Sequence, residues 1–259
     1  NNVGVGQAAL VSNTDGDNNT AVGTFALDAN TTANNNTAVG TYSLTDNTTG
    51  ASNVALGYAS LANNTTASYN TAVGHESMTQ NTTGANNVAV GRNAMASNTT
   101  GSSNTVLGTS ALYANTTASY NTAIGDSALS SNTTGAENTA VGHHSMKDNV
   151  DGYYNTAVGY HALENNTTAS RNNAFGYRAL FANTTGSNCV AVGNRALEAH
   201  TTGYENTAIG SRAGDTLTSG YRNCFMGEDA GDDITTGTNN VIIGRQADGS
   251  HSGSASQVV

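Results

Sequence analysis

An aliphatic residue followed by Gly recurs at Gly6, Gly23, Gly40, Gly57 and onward to Gly244, always seventeen residues apart. Fifteen such coils run with no insertion or deletion. Their consensus is N-T-A-V-G-x-x-A-L-x-x-N-T-T-G-x-x, numbered here as positions 1 to 17, and Asn36 to Ser52 is one copy. Position 2 is Thr or Val and position 4 is Val, Ile or Leu in most coils, an alternation of β-branched residues that marks a strand. Gly at position 5 serves a turn that other residues avoid. Asn-Thr-Thr-Gly from position 12 reads as a second turn. Seventeen residues are too few for a helix pair and too many for a hairpin alone. The pattern predicts an all-β chain, a β-solenoid of the β-roll or β-helix kind, with two short strands and two turns per coil.

Each coil offers few large apolar groups, one at position 4 and one at position 9, such as Val39 and Leu44. Position 3 is usually Ala, and positions 3 and 4 point to opposite faces of one strand. Both faces therefore call for burial. The Ala column (Ala21, Ala38, Ala55, Ala72 and successors) is the face expected to lie outside the coil, as an apolar stripe that marks an interface. Small residues suit close approach of another chain, so a homotrimer is expected. Position 9 is Leu or Met through Leu197, then Gly214, Gly231 and Asp248, while position 3 becomes Phe225 and Ile242. The chain thus divides into a regular repeat solenoid over 1–210 and variant repeats of the same solenoid over 211–259.

Composition narrows the function classes. The chain has 259 residues, a net charge of -10, and only 10% charged residues. Phosphate binding needs clustered Lys and Arg, so nucleic acid is not an expected partner. No apolar run is long enough to span a membrane, so no membrane insertion is expected. Both chain ends fall inside a repeat, which reads as a segment of something longer. Asn at positions 1 and 12 reads as structural, through turn geometry and axial amide ladders. The N-T-T sequons are read as turn chemistry. Cys189 and Cys224 lie two coils and one residue apart, about 9.5 Å at the usual strand spacing of ~4.8 Å. That is too far for a disulfide, and both read as small buried hydrophobes.

A catalytic constellation needs a unique pocket, and a regular solenoid offers repeated columns instead, so the chain reads as no enzyme. No cofactor and no resident metal are expected. Asp15-Gly16-Asp17-Asn18-Asn19 has Thr20 where a calcium loop needs Gly. Glu228, Asp229, Asp232 and Asp233 read as a solvated acidic face. The candidate ligand-binding residues are His144, His161, Arg178, Arg195 and Arg212, at position 7 of five successive coils. They form one basic column on an acidic chain, with Glu164, Glu198 and Asp215 at position 10 as partners. A salt-bridge ladder and a site for an acidic glycan both fit this column. The first two His also sit on adjacent rungs, where a metal can be held. Tyr69, Tyr120, Tyr153, Tyr154, Tyr204 and Tyr221 share positions 16 and 17, an edge suited to stacking on sugar rings or on another chain.

Motifs such as N-T-A-V-G-T-Y-S-L at Asn36 to Leu44, followed by N-T-T-G, resemble the repeats of phage tail fibres, those of cyanophages most closely. They are also similar to the head repeats of trimeric autotransporter adhesins, where a shorter S-V-A-I-G-type strand recurs. The resemblance implies a homotrimeric β-roll or β-helix at a virion or cell surface, contacting a host glycan or receptor. It places the chain in a tail fibre that mediates host attachment, with the head of a bacterial adhesin as the alternative. Ordered Thr ranks give a third reading, an ice-binding solenoid, although Thr48 and Thr49 are adjacent and point opposite ways.

Overall fold

The computed structural model describes residues 1–248, so the last part of the 211–259 segment lies outside the described residues. The chain forms two compact units, Asn1–Thr134 and the part from Gly135 onward. The change of pattern near residue 211 falls inside the second. Both units are all-β parallel β-solenoids of seventeen-residue coils, with no helix among the described residues. The first carries β1 (Val3–Val5) to β8 (Thr122–Ile124), and the second β9 (Thr139–Val141) to β15 (Val241–Ile243). Register follows the repeat. Val39 pairs with Val22 on one side and Leu56 on the other, and Val158 pairs likewise with Val141 and Phe175.

Each coil has one three-residue strand, not the two expected. Positions 6 to 11 are instead a run of turns. Its basis is left-handed backbone at positions 7 and 9, as at Tyr42 (φ 59°) and Leu44 (φ 52°); position 17 is left-handed as well, as at Ser52 (φ 59°). These residues swing successive peptides toward opposite neighbours. The Tyr42 N–H donates to Thr24 O of the preceding coil at 3.0 Å, and the Leu44 N–H to Ser60 O of the following coil at 3.0 Å. A strained backbone residue costs on the order of 1–3 kcal/mol, more when β-branched, and persists only where its surroundings fix it. The sequence complies, since no Val, Ile or Thr stands at position 7, 9 or 17. At position 5 the Gly is needed as anticipated: Gly40 has φ 135°, and a Cβ there would overlap the Gly57 carbonyl oxygen.

The Ala column lies inside the coil, opposite to expectation. Ala38 and Leu44 are both fully buried. The cause is steric. A Cβ at Gly4, which stands at position 3, would sit 3.8 Å from Leu10 Cδ1 at position 9 of the same coil. The Leu fills the lumen and leaves room for a methyl. Positions 2 and 4 therefore face outward, with Thr37 and Val39 half-buried and Leu107 and Phe175 exposed.

The polar half of the interior is closed by two amide ladders. The Asn36 N–H donates to Asn19 Oδ1, and the Asn53 N–H to Asn36 Oδ1, each at 2.9 Å. At position 12, Asn64 Nδ2 donates to Asn47 Oδ1 at 2.8 Å. The ladders meet at one acceptor, because Asn36 Nδ2 and Asn47 Nδ2 both donate to Gly50 O at 2.9 Å. Ser at position 8 is satisfied too, Ser43 Oγ donating to Ala55 O at 3.0 Å. These Asn are fully buried, and a buried amide left unpaired would cost about 1–3 kcal/mol.

Candidate functional site

The five position-7 residues line up in the second unit with left-handed backbone, from φ 52° at Arg178 to φ 58° at Arg195. Each carries its side chain out of the coil and meets a carboxylate. The Glu164 carboxylate lies 3.5 Å from His144 Nδ1 and in contact with His161 Nδ1. Glu198 lies 2.8 Å from Arg178 Nε and in contact with Arg195 Nε. One Glu at position 10 thus serves two rungs. Arg212 departs from this scheme. Its guanidinium is bidentate on Asp229, at 2.6 and 2.7 Å, rather than paired with Asp215. Asp229 stands at position 7 of the next coil, directly in the column. The Arg212 guanidinium holds the Asp229 carboxyl below the usual carboxylate range, whereas burial pushes Asp215 up.

The column borders an open cavity of about 310 Å³, lined by Tyr160, His161, Glu164, Tyr177, Arg178 and Phe181. Tyr160 and Tyr177 stack at 5.7 Å between ring centroids. Arg178 lies 4.0 Å over the Phe181 ring. His161 and Arg178 were expected here from the sequence. Tyr160 and Tyr177 were not, although position 6 reads His143, Tyr160, Tyr177 in three successive coils and gave the signal.

The other sequence candidates separate. At the 16/17 edge Tyr204 and Tyr221 stack at 5.0 Å, and Arg222, paired with Glu205 at 2.8 Å, covers both. Tyr69 and Tyr120 are exposed. The acidic quartet does not act together. Glu228 pairs with Arg245 at 3.0 Å and Asp229 with Arg212, leaving Asp232 and Asp233 close to Asp248. In the calcium-like segment, Asn19 is committed to the ladder, its Nδ2 donating to Ala33 O at 2.8 Å. Cys189 and Cys224 are both free thiols, Cys189 buried as expected and Cys224 only half-buried because position 2 faces out. Burial pushes the Cys189 thiol up to about 11, so it is not a nucleophile at neutral pH. The sequon Asn side chains are fully buried and hydrogen-bonded. The Thr at position 13 spends its hydroxyl on the next coil, as in Thr48 Oγ1 to Thr65 O at 3.0 Å. No helix among the described residues is long and apolar enough to cross a membrane. No protein-family model matches the chain, and no curated protein matches it.

Proposed function

We propose that the chain is a structural segment of an extracellular fibre, most simply a phage tail fibre, that self-associates as a homotrimer and spaces an attachment tip from the virion. The observation that carries this reading is the outward sheet face. Positions 2 and 4 are uncharged in every described coil, and Leu107, Phe175, Ile209 and Met226 along it are exposed. A second copy offers the same seventeen-residue spacing, so the face is self-complementary in period. The interior needs no partner, because its amides are satisfied within each chain. The repeated outer chemistry also offers no single constellation of the kind catalysis requires, which supports a non-enzymatic role.

A second reading, a bacterial adhesin head that binds glycan, is favoured by the aromatic cavity at Tyr160, Tyr177 and Phe181. Against it stands the pairing within the column, where every Arg already contacts a carboxylate, Glu198 being shared by Arg178 and Arg195. Light scattering on the chain tests the first reading. We expect the mass of three chains, falling to one when Val73 and Val141 are changed together to Glu, with strand content retained. A wild-type monomer at micromolar concentration overturns self-association through this face.

A further inference from the structure

We propose that His143, His144 and His161 form a binding site for one divalent transition-metal ion of the zinc class, with Glu164 beside two of the rings. One ring nitrogen from each of the three imidazoles lies within 4.8 Å of the other two. They come from two coils whose register is fixed by the backbone, the His161 N–H donating to His143 O at 3.1 Å. The site is thus built before any ion arrives. Rings this close are hard to explain as charged groups. His143 and His144 stack at 3.8 Å between centroids, and His161 meets His144 edge-on at 5.1 Å. Three imidazolium ions so placed would repel one another, whereas three neutral imidazoles suit zinc, nickel or cobalt, for which imidazole is a preferred ligand.

Glu164 is 8% exposed and lies against both His144 and His161. It supplies the negative charge that commonly orients metal-bound imidazoles. Lys147 also lies near the cluster and is drawn toward Asp148 at 3.9 Å, and Arg178 shares a cavity lining with His161 and Glu164. His75 gives the contrast within the chain. It also stands at position 6, yet it stacks on Tyr58 at 5.1 Å with no second His beside it.

The test uses the whole chain freed of metal by a chelator and titrated with Zn²⁺ by calorimetry, and with Co²⁺ by visible absorption. We expect one saturable site of micromolar affinity or tighter, with a tetrahedral Co²⁺ spectrum. His161→Ser and His143→Thr should each weaken binding at least about tenfold, and Glu164→Ala by roughly 10–100-fold. These side chains already occupy positions 6, 7 and 10 of other coils, so the variants keep the fold; circular dichroism checks this. His75→Ala and His200→Asn should leave affinity unchanged. Metal addition should release protons, because a ligating imidazole nitrogen must be unprotonated. Should a variant lose its fold, imidazole resonances of the unmodified chain decide. Zn²⁺ must shift His143, His144 and His161 and spare His75 and His200. Failure to bind one ion per chain, binding that survives both His variants, or Zn²⁺ shifts centred on other His residues overturns the proposal. None of these results depends on the oligomeric state.

Discussion

The coils around Leu44 and the coils around Phe225 solve one packing problem in opposite ways. In the first, a small position 3 faces a large position 9, Ala38 with Leu44. In the second the sizes are exchanged. Cβ atoms at Gly214 and Gly231 would stand 2.5 and 2.6 Å from the Phe225 ring, so that ring occupies the space two Leu side chains would fill. The polar wall changes in the same stretch. Position 12 is Asn through Asn183, then His200, Leu217 and Ile234, the last two fully buried. What the fold conserves is therefore filled volume in the lumen and paired polar atoms in its wall, rather than particular residues at particular positions. Interiors packed at crystal density require the first, and buried amides require the second.

The largest expected effect is a charge placed in the lumen. Ala89→Glu should lower stability by about 3–5 kcal/mol, enough to unfold a marginal domain, because nothing inside the coil can pair it. Thr71→Glu on the outward face should leave the melting temperature of a single chain nearly unchanged. Thermal melts followed by circular dichroism compare the two, and a silent Ala89→Glu would contradict the inward Ala column. Next is Phe225→Ala, at about 3–5 kcal/mol for an emptied core site. Adding Gly214→Leu should restore part of the loss, since Gly214 has φ 58° and Leu197 holds φ 51° at the same position. Without Phe225→Ala, the Leu at 214 has no space and should destabilise. If the double variant is no better than Phe225→Ala alone, volume is not what the two regions share.

Period, strand position and register were legible in the sequence because β-branched alternation and an invariant Gly mark one strand and one turn per coil. The facing of that strand was not. Ala at position 3 is equally at home against a neighbouring chain or under a Leu, and only the narrow lumen decides. That each coil has one strand and not two was also hidden, because backbone handedness leaves no mark in hydrophobicity. Its mark was an absence: β-branched residues are missing from positions 7, 9 and 17, which explains why position 9 uses Leu and Met and never Val or Ile. At the candidate site, the column and two of its three carboxylates followed from period alone. Asp229 was missed as a partner because it reads as part of the acidic face with Glu228, Asp232 and Asp233, and the aromatic wall because position 6 varies too much along the chain to look like a rank.

His200 sharpens the comparison at the wall. It ends the position-12 ladder as a neutral ring, its Nδ1 meeting Asn183 Oδ1 and its Nε2 meeting Asn206 Nδ2, both at 3.1 Å. The first contact needs a protonated Nδ1, and the second an unprotonated Nε2 that accepts, so an imidazolium cannot satisfy both. Burial accordingly pushes its pKa down to about 4 from 6.5. The unfolded chain binds the proton more readily than the folded one. The contribution is therefore fully present above pH 6.5 and is lost as pH falls toward 4, by roughly 3 kcal/mol in all. Denaturant melts at pH 7 and pH 4 should show this loss, and His200→Asn, which restores the regular rung, should remove that part of it. An unchanged pH dependence in His200→Asn would mean that the ring is not the group titrating.

The smallest stability effect belongs to the column, and there the two units differ most in composition. Position 7 of the first unit is Ala, Phe, Tyr, Glu, Asn or Ser, and that of the second carries the His and Arg. Arg195 is exposed, and a pair of that kind contributes about 0.2–1 kcal/mol in general. Changing Arg178, Arg195 and Arg212 together to Ser leaves Glu198 and Asp229 without their cations, while Ser is already accepted at this position in Ser110 and Ser127. We expect a lowered melting temperature that high salt narrows, because screening weakens the same pairs in the parent chain. Binding to host cells or to acidic glycan should be unchanged, since each guanidinium already contacts a carboxylate. Loss of binding with an unchanged melting temperature would reverse the assignment. The cavity beside Arg178 would then be a recognition site, and the pairing with Glu198 a resting arrangement that an acidic ligand displaces.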